Sequence, residues 1–285
     1  NRQERMASDS TLSTFTANDG DNLAVQDWPL EPGVPVRGVV LIVHGLGEHA
    51  GRYQHVAEQL NQWGFAVRGY DQCGHGESSG LPGSLRSDTR LLDDLADLVD
   101  STRARFKPGT PLIVLGHSMG GLVAGRFVSL GLRKIDALVL SSPAFNPGMN
   151  AFQKFLVSVL PKILPNLRVG NGLNAAHISH DPAVVRAYLE DRLVHDRISA
   201  RLAQFIATQG EATLQAAPSW TVPTLLMYAG DDRLVNAQGS RDFAAAAPAS
   251  LVKSVCFDGF FHEIFNEPDA TPVFNTLRDW LDKRF

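Results

Sequence analysis

Residues 112–130, LIVLGHSMGGLVAGRFVSL, contain the pattern Gly-x-Ser-x-Gly between an apolar run and a helical run. The periodicity predicts a strand over 112–115 and a helix over 121–130. A sharp turn between such a strand and helix strains the backbone of Ser118 and exposes its hydroxyl above the carboxyl end of the strand. The helix N-terminus at this turn favours negative charge. This stretch therefore predicts a nucleophilic serine at the edge of an α/β sheet.

The rest of the chain supports a mostly parallel sheet with helices on both faces. Two alternating runs predict an antiparallel pair, with a turn at 18–21 between them. The predicted strands cover 12–16, 23–28, 39–43, 65–70, 112–115, 137–140, 224–228 and 251–257. The predicted helices cover 52–63, 88–106, 121–130, 241–247 and 272–285. Strands that alternate with helices are typical of the α/β class.

One segment interrupts this alternation. Between residues 146 and 218 the pattern contains no convincing strand, and it predicts helices over 151–160, 182–193 and 198–214. Asp181 and Pro182 form a good helix start, with Asp as the cap and Pro at the first position. The predicted organisation is a core over 1–145 and 219–285, interrupted by a helical cap over 146–218.

Composition excludes several classes of protein. The chain has 285 residues and a net charge of −4, so it carries no basic surface for nucleic acid or for attraction to an anionic membrane. Its two cysteines, Cys73 and Cys256, are far apart, which argues against a disulfide scaffold or a Cys-rich zinc site. No apolar run approaches the length of a transmembrane helix, and residues 1–6 are polar. We therefore expect a cytoplasmic protein, and the sequence does not indicate its oligomeric state.

A serine hydroxyl needs a base within hydrogen-bond reach. Of nine histidines, His262 follows the late strand 251–257 and should reach the edge where Ser118 emerges. His44 and His75 lie in glycine-rich turns, where an imidazole commonly bonds to the backbone. The side chain of His117 should point away from that of its neighbour Ser118. The histidines of the insertion are expected to be solvated: His177, His180 and His195.

A third group must orient the imidazole, and two N–H donors must stabilise an oxyanion. Asp231 and Asp232 both follow the strand 224–228, and spacing alone does not choose between them. One donor is expected to be the N–H of Met119, which follows the serine. The other should come from the turn after strand 39–43, where we expect the N–H of Leu46. No metal or organic cofactor is required.

Four segments together resemble a known family. They are LIVHGLGEHAGRY at 41–53, GHSMG at 116–120, GDDRL at 230–234 and GFFHE at 259–263. From about residue 11 onward, the chain is similar to the monoacylglycerol lipase and lysophospholipase branch of the α/β-hydrolase superfamily. The resemblance implies Asp232 as the acid, Leu46 and Met119 as oxyanion donors, and a helical cap that sets substrate choice. Leu46 is bulkier than the family's usual residue, which should narrow the acyl tunnel.

Several nearby residues have a structural interpretation. Glu48 is expected to favour the start of the helix 52–63 and to pair with Arg52. Asp71 and the neighbouring glycines should shape the turn over 70–78, and Cys73 is expected to be an inert thiol. The apolar cap residues could line an acyl channel, contact a lipid surface or pack on the core. These candidates for substrate binding are Phe152, Phe155, Leu156 and Val159.

The favoured function is hydrolysis of medium-chain monoesters, such as monoacylglycerols, through an acyl-enzyme on Ser118. The same fold could instead serve a lysophospholipase, a small aromatic monoester hydrolase, a C–C hydrolase, an aminopeptidase or a perhydrolase. A different class, a non-catalytic protein that binds a lipid or small apolar ligand, would be indicated by a damaged triad, whereas here all three residue types are present. The expected partners are a small ester and, through the cap, a lipid surface.

Overall fold

The computed structural model describes residues 10–285, so the polar N-terminal residues 1–9 lie outside the described part of the chain. Its main sheet has eight strands in the order β1-β2-β4-β3-β5-β6-β9-β10. These strands are β1 Thr11–Thr16, β2 Asn22–Trp28, β3 Gly38–Val43, β4 Phe65–Tyr70, β5 Leu112–His117, β6 Ala137–Ser141, β9 Thr224–Ala229 and β10 Val252–Phe257. β2 pairs in antiparallel fashion with both of its neighbours, β1 and β4, and all other neighbours within this sheet are parallel. The predicted α/β sheet is confirmed, and its strand bounds agree within two residues.

Helices cover both faces of the sheet. In the core they are α1 Gln54–Gln62, α2 Arg90–Ala104, α3 Met119–Ser129, α7 Gln238–Ala246 and α8 Thr271–Asp282. A 3-10 turn over Ala50–Tyr53 precedes α1, where the sequence predicted one continuous helix. Along β3, Val39 and Leu41 belong to one buried cluster, whereas Val40 and Ile42 belong to the cluster on the opposite face. This two-sided burial explains why the central strands are continuous apolar runs rather than alternating ones.

The segment between β6 and β9 contains α4 Ala151–Ile163, α5 Pro182–Glu190 and α6 Ala200–Ala216. The expectation that it contains no strand was wrong. β7 Arg168–Gly170 and β8 Arg197–Ser199 pair in antiparallel fashion within it. Three residues are too few to show an alternating pattern, so periodicity could not detect these strands.

The long helix α6 connects this insertion to the core. It packs against α3 and α4, and its Phe205 and Ile206 are buried. By contrast, α4 contains no buried residue. Within residues 10–285, no helix combines the length and apolar character needed to cross a bilayer.

Candidate active site

Ser118 lies at a strained turn between β5 and α3. Its φ of 55° and ψ of −118° place a non-glycine residue in a region that costs about 1–3 kcal/mol. The turn depends on flanking glycines, because a Cβ at Gly116 would overlap the carbonyl oxygen of Gly120, and a Cβ at Gly120 would overlap that of Val43. The Ser118 N–H donates to the Ser141 carbonyl at 2.9 Å. The predicted strand–turn–helix context of the serine is therefore present.

His262 and Asp232 form a buried hydrogen-bonded pair. The distance from His262 Nδ1 to Asp232 Oδ2 is 2.7 Å, and the two side chains are 5% and 2% exposed. Burial alone would lower the pKa of His262, but the charge of Asp232 and its hydrogen bond raise it above the usual value. Burial raises the pKa of Asp232, but His262 and the N–H groups of Val235 and Leu234 lower it overall. Because Nδ1 faces the carboxylate, the imidazole keeps Nε2 free for another partner.

The structure distinguishes the two neighbouring aspartates. Asp232 Oδ1 also accepts from the N–H groups of Leu234 and Val235 at 2.9 and 3.0 Å, which fixes its orientation. Asp231 points outward and pairs with Arg233 at 3.3 Å on an exposed surface. Asp232 is therefore the residue placed to orient His262.

Leu46 and Met119 lie together beside Ser118, where oxyanion donors were predicted. Within residues 10–285, neither backbone N–H donates to a protein acceptor. The neighbouring Gly45 N–H is instead occupied by Glu48 Oε2 at 2.8 Å. Both residues contact the same cavity as Ser118 and His262. Two unpaired N–H groups beside this cavity could stabilise an oxygen that becomes negatively charged.

A cavity of about 400 Å³ extends from these groups beneath the cap. Ser118, His262, Leu46 and Met119 are among its lining residues. The rest of its wall is mostly apolar, and among the described residues the lining includes no Asp, Glu, Lys or Arg. The cap contributes most of this wall, mainly through Leu156, Val157, Leu160, Leu167, Val169, Leu173, Ile198 and Ile206.

The cap helix α4 has two apolar rows, and only one of them faces the cavity. The inner row consists of Leu156, Val157 and Leu160. Phe152 and Phe155 belong to the outer row and are 68% and 61% exposed. Phe152, Phe155 and Val159, all predicted to bind substrate, lie outside the cavity lining, whereas Leu156 lies within it. A run of apolar residues at helical spacing does not reveal which side of a helix faces inward, and this explains the difference.

The other histidines agree with expectation only in part. His44 and His75 bond to backbone groups in their turns, as predicted. His180 and His195 are not simply solvated: His180 pairs with Glu267 at 2.6 Å, and His195 Nε2 bonds to a core carbonyl at 3.0 Å. The rings of His117 and His262 are 4.8 Å apart, a contact that the sequence did not predict. The contacts of His180 and His195 connect cap and core, which local sequence cannot show.

Sequence reasoning missed three residues that support His262. Ser142, itself at a positive φ of 43°, donates its hydroxyl to the His262 carbonyl at 2.8 Å. Burial and the neighbouring His262 lower the pKa of His117 to about 4, so this ring is neutral near pH 7. Glu263 follows His262 directly and bonds to Arg52 through both carboxylate oxygens. In the sequence, the positive charge of Arg52 is the only feature that indicates a carboxylate partner such as Glu263.

Glu48 has the structural role that was predicted. It pairs with Arg52 at 2.8 Å and also accepts from the Tyr53 hydroxyl at 2.7 Å. Burial would raise the pKa of Glu48, but Arg52, His117, His44 and Tyr53 lower it to about 2. Cys73 is buried, and burial raises its pKa to about 11, consistent with the inert thiol that was predicted.

One group of side chains could in principle hold a metal ion. Among the residues that the structure describes, Glu48, His117 and Glu263 place one ligand atom each within 4.8 Å of one another. However, Arg52 donates to both carboxylates at 2.8 Å, so a guanidinium already supplies the positive charge there. This group is best described as a buried ion cluster.

This fold and site define the class of the protein. A mostly parallel eight-stranded sheet with a serine at the strand–helix turn, a histidine after the last strand and a covering insertion is the α/β-hydrolase arrangement. Residues 34–269 match the family model described as serine aminopeptidase, S33, so the chain belongs to this family.

Its relatives narrow the class to serine ester hydrolases. The chain is 35% identical to a monoacylglycerol lipase of Mycolicibacterium smegmatis, over 94% of this chain and 95% of that protein. It is 29% identical to human monoglyceride lipase, over 93% and 88% of the two chains. A solved monoacylglycerol lipase from Paleococcus ferrophilus shares 33% identity with a TM-score of 0.82, covering 92% of this chain and 99% of that one. The protein is a serine ester hydrolase.

Proposed function

We propose that the protein hydrolyses uncharged medium-chain monoesters of the monoacylglycerol type, with Ser118, His262 and Asp232 as its catalytic triad. The observation that carries this proposal is the mostly apolar cavity of about 400 Å³ whose lining includes Ser118, His262 and the two residues with unpaired N–H groups, Leu46 and Met119. An acyl chain is the part of such a substrate that an apolar wall stabilises, and the ester carbonyl is the part that needs polar groups.

The proposed mechanism gives each group at the site one role. Ser118 Oγ attacks the ester carbonyl carbon, and His262 Nε2 takes the serine proton while Asp232 holds Nδ1–H. The N–H groups of Leu46 and Met119 stabilise the oxyanion. His262 then protonates the leaving alcohol, and an acyl-enzyme remains on Ser118. Water repeats the sequence on this intermediate and releases the carboxylic acid.

The lack of charge in the cavity wall separates this function from the aminopeptidase alternative. A peptidase that recognises a free N-terminus needs a carboxylate to bind the ammonium group. In the described part of the chain, no acidic side chain lines the cavity. The same wall provides no cation for a phosphate group within the cavity. An uncharged ester is the substrate that leaves no buried charge unpaired.

A panel of glycerol monoesters tests this proposal. Because each buried methylene contributes up to about 0.8 kcal/mol, we expect kcat/KM to rise up to about fourfold per methylene from acetyl to medium chains. Ethyl esters and amino-acid amides of matched size serve as comparisons for the alcohol part and for peptidase activity. A flat chain-length profile, or higher activity on the amides, would contradict the proposal.

We further propose that the outer row of the cap contacts the lipid surface from which substrate is drawn. Phe152, Phe155, Ile163 and Leu164 are each more than half exposed and lie on or just after one helix. Because the net charge is −4, this contact would rest on apolar burial rather than attraction to anionic lipid.

Binding to uncharged phosphatidylcholine vesicles tests this contact. Replacing Phe152 and Phe155 together by Asp should weaken binding at least about tenfold, while hydrolysis of a soluble short ester stays unchanged. The matched control is Leu12→Asp, since Leu12 is 80% exposed on β1, outside the cap. Equal binding by both variants would contradict contact through the outer row.

A further inference from the structure

Arg52, Glu48 and Glu263 form a buried cluster behind the catalytic histidine, called here the Arg52 cluster. Arg52 Nη1 donates to Glu48 Oε1 at 2.8 Å. Nη1 and Nη2 also donate to the two oxygens of Glu263, each at 2.8 Å. The three side chains are between 4% and 11% exposed. A planar guanidinium that binds two carboxylates in this way fixes their relative position.

This cluster connects the two loops that carry the proposed catalytic groups. Glu48 Oε2 accepts from the N–H of Gly45 at 2.8 Å, and this holds the turn that contains Leu46. Glu263 is the residue after His262, and its own N–H donates to a cap carbonyl, that of Ile178, at 2.9 Å. One guanidinium is therefore bonded to the oxyanion turn on one side and to the histidine loop on the other.

The cluster also sets the charge near His262. Two carboxylates and one guanidinium give it a net charge of −1. The other titratable groups around His262 are Asp232, bonded at 2.7 Å, and the neutral ring of His117 at 4.8 Å. Negative charge near an imidazole favours its protonated form. Glu48 and Glu263 act in that direction on His262. Arg52 is hydrogen-bonded to both carboxylates, and a positive charge at that position acts in the opposite direction.

We propose that Arg52 is a positioning residue with two separable effects on the reaction. Its bidentate hydrogen bonding to Glu263 sets the position of His262 relative to the Leu46 turn. Its positive charge limits the basicity of His262. This inference rests on the proposed function, because it requires His262 to act as the general base. Arg52 lies outside the cavity lining and acts through Glu48 and Glu263.

Because of the charge effect, substitutions of the two partners in the Arg52–Glu263 ion pair should shift the pH–activity profile in opposite directions. A general base must be neutral to accept a proton, so activity falls as the pH drops through the pKa of His262. Glu263→Gln removes one negative charge, and the acid side of the pH–activity profile should move down by about 0.5 to 1 pH unit. Arg52→Gln should move it up by a similar amount. The double variant has the wild-type net charge and should lie close to the wild type.

The geometric effect is isolated by Arg52→Lys. Lysine keeps the charge but provides no planar pair of donors, so we expect kcat to fall about tenfold with the acid side of the profile unmoved. The matched control is Arg90→Lys, since Arg90 also binds a buried carboxylate through two short contacts, at 2.8 and 2.9 Å to Asp94. Arg90 lies outside the cavity lining, and its substitution should lower stability while leaving kcat and the pH profile unchanged.

The experiment measures kcat and KM for a soluble ester between pH 5 and 9, together with an NMR titration of the His262 imidazole. Opposite shifts for Arg52→Gln and Glu263→Gln support the inference, and shifts of the same sign, or none, overturn it. If the Arg52 variants do not fold, the downward shift in Glu263→Gln decides. Failure of the wild type to hydrolyse any ester would contradict the proposed function, whereas the NMR titrations still test the effect of charge on His262.

Discussion

The sheet edge that carries Ser118 and the cap that covers it are built in different ways. At the edge, Asp232 and His262 are almost fully buried and joined by a 2.7 Å hydrogen bond. In the cap, α4 contains no buried residue, although one of its apolar rows lines the cavity. Reacting groups need fixed positions, whereas an acyl chain needs only an apolar wall. Substitutions should therefore affect chemistry at the edge and substrate choice in the cap.

The largest effect is expected at the edge itself. Ser118→Ala removes the proposed nucleophile and His262→Ala removes the proposed base, so each should lower kcat for ester hydrolysis by roughly 10⁴- to 10⁶-fold. Ser118→Ala removes only a hydroxyl, so its thermal unfolding midpoint should stay close to that of the wild type, whereas His262→Ala removes a buried imidazole, leaves Asp232 without its partner and should lower the midpoint. Turnover near the wild-type rate in either variant would show that the chemistry occurs elsewhere.

The two aspartates test the edge at finer resolution. Asp232→Asn should reduce kcat on the order of 10⁴-fold, because the buried carboxylate fixes the His262 tautomer. Asp231→Asn should have little effect, since that side chain is 45% exposed and, among the described residues, hydrogen-bonds only to Arg233. Steady-state kinetics on one soluble ester compare the two. A larger loss at Asp231 would contradict the geometry of the pair.

A stability comparison separates core from cap. Leu122 of α3 is fully buried beneath the serine turn, and Leu122→Ala should lower the free energy of unfolding by about 2–5 kcal/mol. Leu189 of α5 is 68% exposed, and Leu189→Ala should change it by no more than about 0.5 kcal/mol. Urea unfolding measures both. Equal losses of the free energy of unfolding would mean that the cap surface around Leu189 is packed against another surface in solution.

The smallest expected effect concerns the two rows of α4. Leu156→Asp places a charge in the cavity wall and should lower kcat/KM for an octanoyl ester by a factor of roughly several tens. The loss of kcat/KM for an acetyl ester should be much smaller. Phe152→Asp, one helical turn away on the exposed row, should leave both soluble esters unaffected. Equal losses on the two esters for Leu156→Asp would argue against acyl binding by the inner row.

The sequence predicted the fold and the edge residues because both depend on local signals. Short apolar runs defined the strands, and Ser118 and His262 occupy motifs tied to strand ends. The choice of Asp232 over Asp231 came from the family resemblance. Two adjacent aspartates have the same chemistry, and they differ only in the direction in which the turn orients each side chain.

The features that the sequence did not predict depend on tertiary contacts. Strands β7 and β8 are too short for a pattern, and helical spacing could not show that Leu156 faces the cavity while Phe155 faces outward. The contact between Arg52 and Glu263 joins residues 211 positions apart. Such a contact is decided by how the loops meet at the sheet edge, which no local pattern records.

The most direct test of the account is covalent labelling of the protein with a fluorophosphonate, followed by mass spectrometry of its peptides. Such a reagent forms a stable bond to a serine that an adjacent base activates. We predict one adduct per chain, on the peptide that contains Ser118, with labelling abolished in Ser118→Ala and strongly slowed in His262→Ala. An adduct on another residue, or labelling that persists in Ser118→Ala, would contradict the assignment of Ser118 as the nucleophile.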